Sequence, residues 1–443
     1  MHRQAYVERV IDLLDPSHNI YLDSTHEEAV AAVRSGDVER VRAIDGQFAV
    51  VAREGKTVRM ARTIGRPLRY FLAKQADGPC LIVADRIDTI HQQLQREGLD
   101  DQFHPSYTRM VPAHHLVELQ LVGCPDPNPT YRRYFAPQQN RLPNDLDEIG
   151  RRYMTALAGE IARWLDRIDR TEPIGVLFSG GIDSGSVLLL VYHLLLERGD
   201  SPSRLKAFTL TIDGRALDAD QARRFLDELQ LGMLLEPVDV PRQAVDYAQA
   251  IRVIEDYKPL DVQSATMALA LCRGIRERYP DWKYLIDGDG GDENLKDYPI
   301  EANPELTIRS VLNNVMLYQE GWGVDAIKHS LVYSGGQSRG HVRTYAPAAQ
   351  YGFEGFSPYA LPNVIDVAEG IPFIELCDWN HERLYALKGE VVRRGIEAVT
   401  GWNMPIFPKR RFQQGAVPSE AMFDELFPSS EQTYRNVFAS LYA

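Results

Sequence analysis

Residues 175–187 read GVLFSGGIDSGSV, an apolar run followed by two serines and an aspartate around a glycine pair, and then a leucine-rich stretch. A strand that turns through glycine into a helix aims several backbone N–H groups at one spot, where the helix dipole also favours negative charge. Such a spot binds phosphate. Gly180 and Gly181 permit left-handed backbone and close approach, and Ser179 and Ser184 add hydroxyl donors. Asp183 would repel a bare phosphate unless a cation lay between them, a conflict that magnesium carried with a nucleotide removes. Three rival chemistries fail on the residues: the stretch has no GK[ST] and no GxGxxG, and the glycine that a hydrolase elbow needs two residues on each side of its serine is replaced by Leu177 before Ser179 and by Ile182 and Ser186 around Ser184. A turn that binds nothing has no use for two serines and an aspartate together.

A second glycine-rich acidic stretch, DGDGGDE at 287–293, follows the apolar KYLI. Asp292 is a candidate second magnesium ligand at a strand end, against the alternative that it caps a helix starting at Glu293. The stretch is not a calcium loop, because Asp292 and Tyr298 stand at the sixth and twelfth places where glycine and glutamate are needed. Asp289 can orient or deprotonate an ammonium or amine; its competitor is a solvated aspartate in a glycine loop. Glu354 sits among Phe353, Phe356 and Tyr359, a setting that raises a carboxyl toward the range of a base, and it could equally pair with Arg343 and serve structure alone. The KRR run at 409–411 reads as a solvated face unless its position says otherwise.

These residues need elements to hold them. IGVLF, RLKAFTLTI, LLEPVDV and KYLIDG read as short apolar strands separated by helical stretches at 218–231, 243–257 and 262–279, an alternation that predicts a parallel sheet covered by helices on both faces. Ahead of them Met154, Leu157, Ile161, Trp164, Leu165 and Ile168 mark one face of an amphipathic helix. Residues 40–86 alternate over short runs with turn residues at EGK and ADG, which predicts antiparallel strands. The proline- and asparagine-rich stretch at 125–148 reads as a linker, and beyond 300 the pattern is mostly helical.

The 443 residues leave room for two or three domains, and 44% apolar with 25% charged residues is ordinary for a globular chain. A net charge of −13 disfavours nucleic acid and anionic membrane as partners. Four separated cysteines (Cys80, Cys124, Cys272, Cys377) without a CxxC, and a charged opening, point to a reduced cytoplasm. VLLLVYHLLL, at 187–196, is about half the length of a membrane span and reads as a buried helix.

SGGIDS after an apolar strand resembles the pyrophosphate-binding PP-loop of the ATP pyrophosphatases, and from about Ile44 to Gly415 the chain resembles asparagine synthetases and the related β-lactam synthetases. The points of likeness are DGQFAVV (45–51) with IGRPLRYF (64–71), SGGIDS, FTL (208–210), DGDGGDE, GFEGFSP (352–358) and PKRRFQQG (408–415), in the family's order. The resemblance implies an α/β fold. A doubly wound, mostly parallel sheet of the adenine nucleotide alpha hydrolase kind would fill 148–443, and a smaller antiparallel β-rich domain, a truncated Ntn-type glutaminase, would fill 1–140. It also implies that the loop holds the β- and γ-phosphates of ATP while a carboxylic acid attacks the α-phosphorus, giving an acyl-adenylate and pyrophosphate, after which an amine displaces AMP. By the same likeness Phe178, Ser179, Gly180, Gly181, Asp183, Ser184, Leu210 and Gly288 bind ATP, although Phe178 and Leu210 are equally core residues. Asp183 and Asp292 hold Mg²⁺, and Lys409 neutralises the adenylate. Asp289 stands where asparagine synthetases have glutamate and β-lactam synthetases tyrosine, and Glu354 matches a second glutamate position.

The pattern breaks at the glutaminase. Such a domain needs an N-terminal cysteine nucleophile, whereas this chain opens Met1, His2, Arg3, DGQF already occurs at Asp45, and neither Cys80 nor Cys124 substitutes by position. The expectation is an AMP-forming amide ligase that joins a small carboxylic acid to ammonia or an amine without hydrolysing glutamine. Ring closure within one substrate is disfavoured by Asp289, a non-catalytic scaffold by the joint presence of SGGIDS, Asp292 and Lys409, and a tRNA-modifying enzyme by the acidic charge. A homodimer is left open.

Overall fold

The computed structural model describes residues 8–75, 78–121, 128–297, 300, 307–316, 319, 341–408 and 411–442. They form two compact units, one running to Ala136 and the other comprising Pro137–Gln319 and Arg339–Leu441.

The first unit holds two four-stranded sheets. One runs in the order β1 (Arg9–Asp12), β7 (Gly78–Ala84), β6 (Arg69–Gln75), β8 (Arg109–Met110). The other runs β10 (Thr130–Arg133), β9 (His115–Gln120), β5 (Thr57–Arg62), β4 (Ala49–Glu54), and β2 (Ile20–Tyr21) pairs with β3 (Gly46–Gln47). Strand alternation sends Tyr70, Leu81 and Val83 toward Val58, Met60, Val117 and Leu119 of the second sheet, while Phe71, Cys80 and Ile82 meet Ile90 and Leu94 of the helix Ile87–Glu97. The EGK turn closes the β4–β5 hairpin as expected. One strand departs from the antiparallel expectation: β1 joins β7 in parallel, because no hairpin connects the two and nothing local fixes their relative direction.

The second unit is built on five parallel strands, β11 (Ile174–Leu177), β12 (Leu205–Ile212), β13 (Leu235–Val240), β14 (Tyr284–Ile286) and β15 (Glu354–Phe356), in the order β13-β12-β11-β14-β15. The first four are the expected strands. The fifth is new, and at three residues it is too short to show a period in sequence. Ahead of the sheet α1 (Leu146–Asp166) starts where the Asp145 carboxylate accepts the N–H groups of Asp147 and Glu148, and it buries Met154, Leu157, Ile161, Trp164 and Leu165 as their spacing predicts. Both faces of the sheet are covered. Leu285 packs in a cluster with Val238, Met267 and Leu271, the last two from α2 (Pro259–Arg278), whereas Phe356 stacks on Trp164 of α1 with ring centroids 4.9 Å apart. Burying a ring of this size contributes about 1.5–3 kcal/mol.

β11 lies at the centre of the sheet. The chain leaves it through the buried helix α3 (Ile182–Glu197), winds out to β12 and β13, then returns across to β14 and β15. The winding reverses between β11 and β14, which is where an open α/β sheet leaves a crevice at its carboxyl edge.

Candidate functional site

A cavity of about 1040 Å³ opens at that edge, and every residue that lines it belongs to the second unit. Leu177, Phe178, Ala268, Leu271, Val417 and Phe423 give it an apolar surface; Asp183, Asp287, Asp289, Asp292, Arg343 and Lys388 give it a charged one. Its size is at the upper end of the range of about 300–1,000 Å³ typical of ligand clefts.

The SGGIDS turn forms one wall. Gly180 has φ +72°, and a Cβ there would lie 2.7 Å from the backbone nitrogen of Ala222, so both conformation and packing demand glycine. Gly181 is the N-cap of α3, which leaves the first-turn N–H groups of Ile182, Asp183 and Ser184 without partners inside the helix. The hydroxyls of Ser179 and Ser184 lie 3.3 Å apart, and the Ser179 hydroxyl accepts the Gly181 N–H at 3.3 Å. Beneath them, the buried Ser186 hydroxyl donates to the Asp183 carbonyl at 2.8 Å and lies 2.6 Å from the Tyr359 hydroxyl.

The loop after β14 presses against this turn. A Cβ on Gly291 would come within 2.2 Å of the Asp183 carboxylate, and one on Gly288 within 2.7 Å of the Ser184 nitrogen. Asp183 and Asp292 are thereby brought together, and the Lys388 ammonium sits on both. Its Nζ donates to Asp183 Oδ2 at 2.6 Å and to Asp292 Oδ1, with Asp297 Oδ2 at 3.5 Å. The lysine side chain is only 3% exposed; burial opposes its charge, yet Asp183, Asp292 and Asp297 together hold its pKa well above the ordinary lysine value.

A glycine turn at a helix N-terminus thus faces two carboxylates, gathered on Lys388, at the point where the sheet reverses. Residues 164–347 match the family model of asparagine synthase. The likeness read from the motifs therefore holds over the segment that carries β11 to β14 and both loops. A second likeness is to a protein named amidase chyE from Penicillium rubens, 26% identical over 210 residues, which is 44% of this chain and 29% of that protein. The chain thus spans less than a third of the length of the curated relative it matches.

The structure distributes the expected asparagine synthase-like site residues unevenly. Phe178, Ser179, Gly181, Asp183, Ser184, Gly288, Asp289 and Asp292 line the cavity, and Gly180 shapes the turn behind them. Lys409 lies outside the described residues. Leu210 does not join the lining; it is 2% exposed in the cluster with Val238 and Leu271 and serves as core. Glu354 does not join it either. It opens β15 opposite Tyr284, at the far end of the strand from the crevice, beside Trp164 and Arg167. Its carboxyl pKa is raised by burial and drawn back by Arg167, but no reacting group stands near it. Arg343, the other partner offered for Glu354, lines the cavity and lies 3.5 Å from Asp261.

Asp289 is set as a titrating group. Its backbone N–H donates to the Asp287 carboxylate at 2.9 Å, and its own carboxylate accepts the Thr344 hydroxyl. Burial pushes its pKa up to about 6, with the Thr344 hydroxyl and Arg343 restraining the rise and Glu293 and Asp292 adding to it. Asp287 is buried against the Ser357 hydroxyl at 2.9 Å, its carboxyl held well above the usual range by burial and by Asp289.

Two side chains that line the cavity and contact the expected aspartates escaped the sequence reading, Lys388 and Thr344. Lys388 did leave a signal. It sits on the helix His381–Thr400 among Leu384, Leu387, Val391 and Val392, so a charge stands inside an apolar stripe, where it needs a buried partner. Thr344 left none, since a lone threonine in a glycine-rich stretch carries no pattern.

Magnesium fits the donors on hand: Asp183 and Asp292 converge within reach of one cation and offer hard carboxylate oxygens. Among the described residues, however, no group of three or more His, Cys, Asp and Glu is spaced to hold a metal by itself. No helix among them is long and apolar enough to cross a membrane.

Proposed function

We propose that this protein is an ATP-dependent, AMP-forming ligase that activates a small carboxylic acid as its adenylate and passes the acyl group to ammonia or an amine. The observation that carries the reading is the gathering of Asp183 and Asp292 on Lys388, directly beside the SGGIDS turn and in the same cavity as Asp289. The α3 N-terminus and the Ser179 and Ser184 hydroxyls would take the β- and γ-phosphates, and the apolar surface of Leu177, Phe178, Ala268 and Leu271 the adenine. Asp183 and Asp292 would hold Mg²⁺, which supplies charge neutralisation for the departing pyrophosphate. The Lys388 ammonium adds a second positive charge where negative charge develops in the transition state. Asp289, with a pKa near the working range, orients the incoming nitrogen and accepts its proton.

Glutamine hydrolysis is not part of this proposal. Among the described residues Cys80, Cys272 and Cys377 are buried, and burial pushes the Cys272 thiol up to about 12, the reverse of an activated nucleophile, while Cys124 lies outside the described residues. We take the first unit to be a glutaminase-like module without its nucleophile, the acid and amine to be small molecules, and the site of action the cytoplasm.

The test is nucleotide turnover. With α-labelled ATP, Mg²⁺ and mixtures of carboxylic acids and amines, AMP and pyrophosphate appear together, and Asp183→Ala lowers their formation by about a hundredfold or more. ADP as product, or turnover untouched in Asp183→Ala, would sink the reading. Product mass then separates joining of two molecules from loss of water within one.

A further inference from the structure

Lys388 occupies the place where a metal would meet its carboxylates, and this has a consequence for binding order that rests on the reading of the cavity as an ATP site. We propose that Lys388 is the resident cation of the site in the nucleotide-free protein. It holds Asp183 and Asp292 against a divalent metal until a triphosphate arrives, so that metal and nucleotide enter together.

The stoichiometry of donors carries the argument. An ammonium has three N–H bonds and no more. Nζ of Lys388 donates to Asp183 Oδ2 and Asp292 Oδ1, the carboxylates a metal would use, and forms an ion pair with Asp297 Oδ2 at 3.5 Å. A metal arriving alone must displace the lysine from both. The lysine cannot then retreat to water, because its side chain is 3% exposed on a helix whose neighbouring residues Leu384, Leu387, Val391 and Val392 are buried. It would be left buried with Asp297 as its remaining carboxylate partner, an arrangement of the costly kind in which a charge loses its pairing inside the protein.

The metal's own requirement points the same way. Mg²⁺ and Mn²⁺ take about six oxygen ligands, and the described residues offer no group of three or more candidate side chains spaced for one ion. Phosphate oxygens resolve both difficulties at once. They complete the shell of the metal, and they give the Lys388 ammonium new anionic partners as it releases Asp183 and Asp292. The lysine therefore acts as an exchangeable placeholder, keeping the two aspartates converged before either ligand binds.

Paramagnetic Mn²⁺ titrated into the 443-residue chain, followed by electron paramagnetic resonance, tests this without turnover. Wild type is expected to show no stoichiometric Mn²⁺ binding alone and one bound Mn²⁺ per chain once α,β-methylene-ATP is present. Lys388→Met, which keeps the length and removes the charge, should bind Mn²⁺ without nucleotide at least about tenfold more tightly than wild type. Lys388→Arg keeps a cation and should exclude the ion as wild type does. Should Lys388→Met not fold, wild type alone decides, since tight Mn²⁺ binding without nucleotide overturns the proposal. Equal nucleotide-free affinity in wild type and Lys388→Met overturns it too, while normal binding of the analogue in the same titration leaves the ATP-site reading standing. Failure of the analogue to bind at all removes both.

Discussion

The chemistry of Asp289 depends on two side chains that reach it from a single turn. Burial lifts its carboxyl to about 6, and the hydroxyl of Thr344 and the charge of Arg343 keep it from rising further. In the proposed role the ionised form is the base, so activity limited by this group should rise with pH through about 6 and fall as the proton returns below it. Thr344→Val removes a donor that stabilises the carboxylate, so the limb should move to higher pH, and Asp289→Asn should abolish the limb while leaving ATP binding in place. A pH profile of kcat/KM for the three proteins settles it; an unmoved limb in Thr344→Val would show that another group titrates. Glu354 shows why a residue's composition-based promise fails without its position. Alternation along β15 points its side chain to the same face as Phe356, toward α1, and places it two residues back from the crevice.

At the scale of elements, the site depends on a helix crossing that no motif announces. The helix His381–Thr400 delivers Lys388, and it lies against α1 where the backbones touch: a Cβ on Gly395 would come within 2.2 Å of the Gly150 carbonyl oxygen. Gly395→Leu must push the two helices apart, so it should cost about 1–3 kcal/mol of stability and reduce adenylation by moving Lys388 off its aspartates. Gly389→Ala on the same helix is the contrast. Its Cβ meets Ile406 at 3.7 Å, an ordinary contact, and the better helix former should stabilise by about 0.5–1 kcal/mol. Denaturant midpoints beside AMP formation read both effects, and equal behaviour of the two variants would remove the crossing from the account. The elements themselves were largely legible. β11 to β14 and the Met154–Leu165 face follow from apolar runs and a 3.6-residue period. β15 did not, because three residues that become a strand only by pairing with β14 leave no local trace, and β1 chose its direction through a partner distant in sequence.

For the molecule as a whole, the cavity lies where winding reverses between β11 and β14, so its occupant ties together loops from both halves of the sheet. A ligand of this kind stabilises the native state by mass action, about 2.7 kcal/mol at a hundred times its dissociation constant. Mg²⁺ with α,β-methylene-ATP should therefore raise the melting temperature of wild type, with no rise in Asp183→Ala; a flat response in wild type would count against nucleotide binding at this crevice. What the amino-acid order decided alone is the local structure: the serine–glycine turn, the acidic glycine loop, the strand–helix alternation and hence the fold class. Turn residues and periodicity act over a few positions, so they are written where they operate. Only the tertiary structure decided which charges meet. Lys388 is 205 positions from Asp183 and reaches it through the packing of two helices, Thr344 finds Asp289 across 55, and Glu354 is turned away by the pleat of its strand. Such encounters depend on register and crossing geometry, which belong to pairs of elements and to no single stretch of chain.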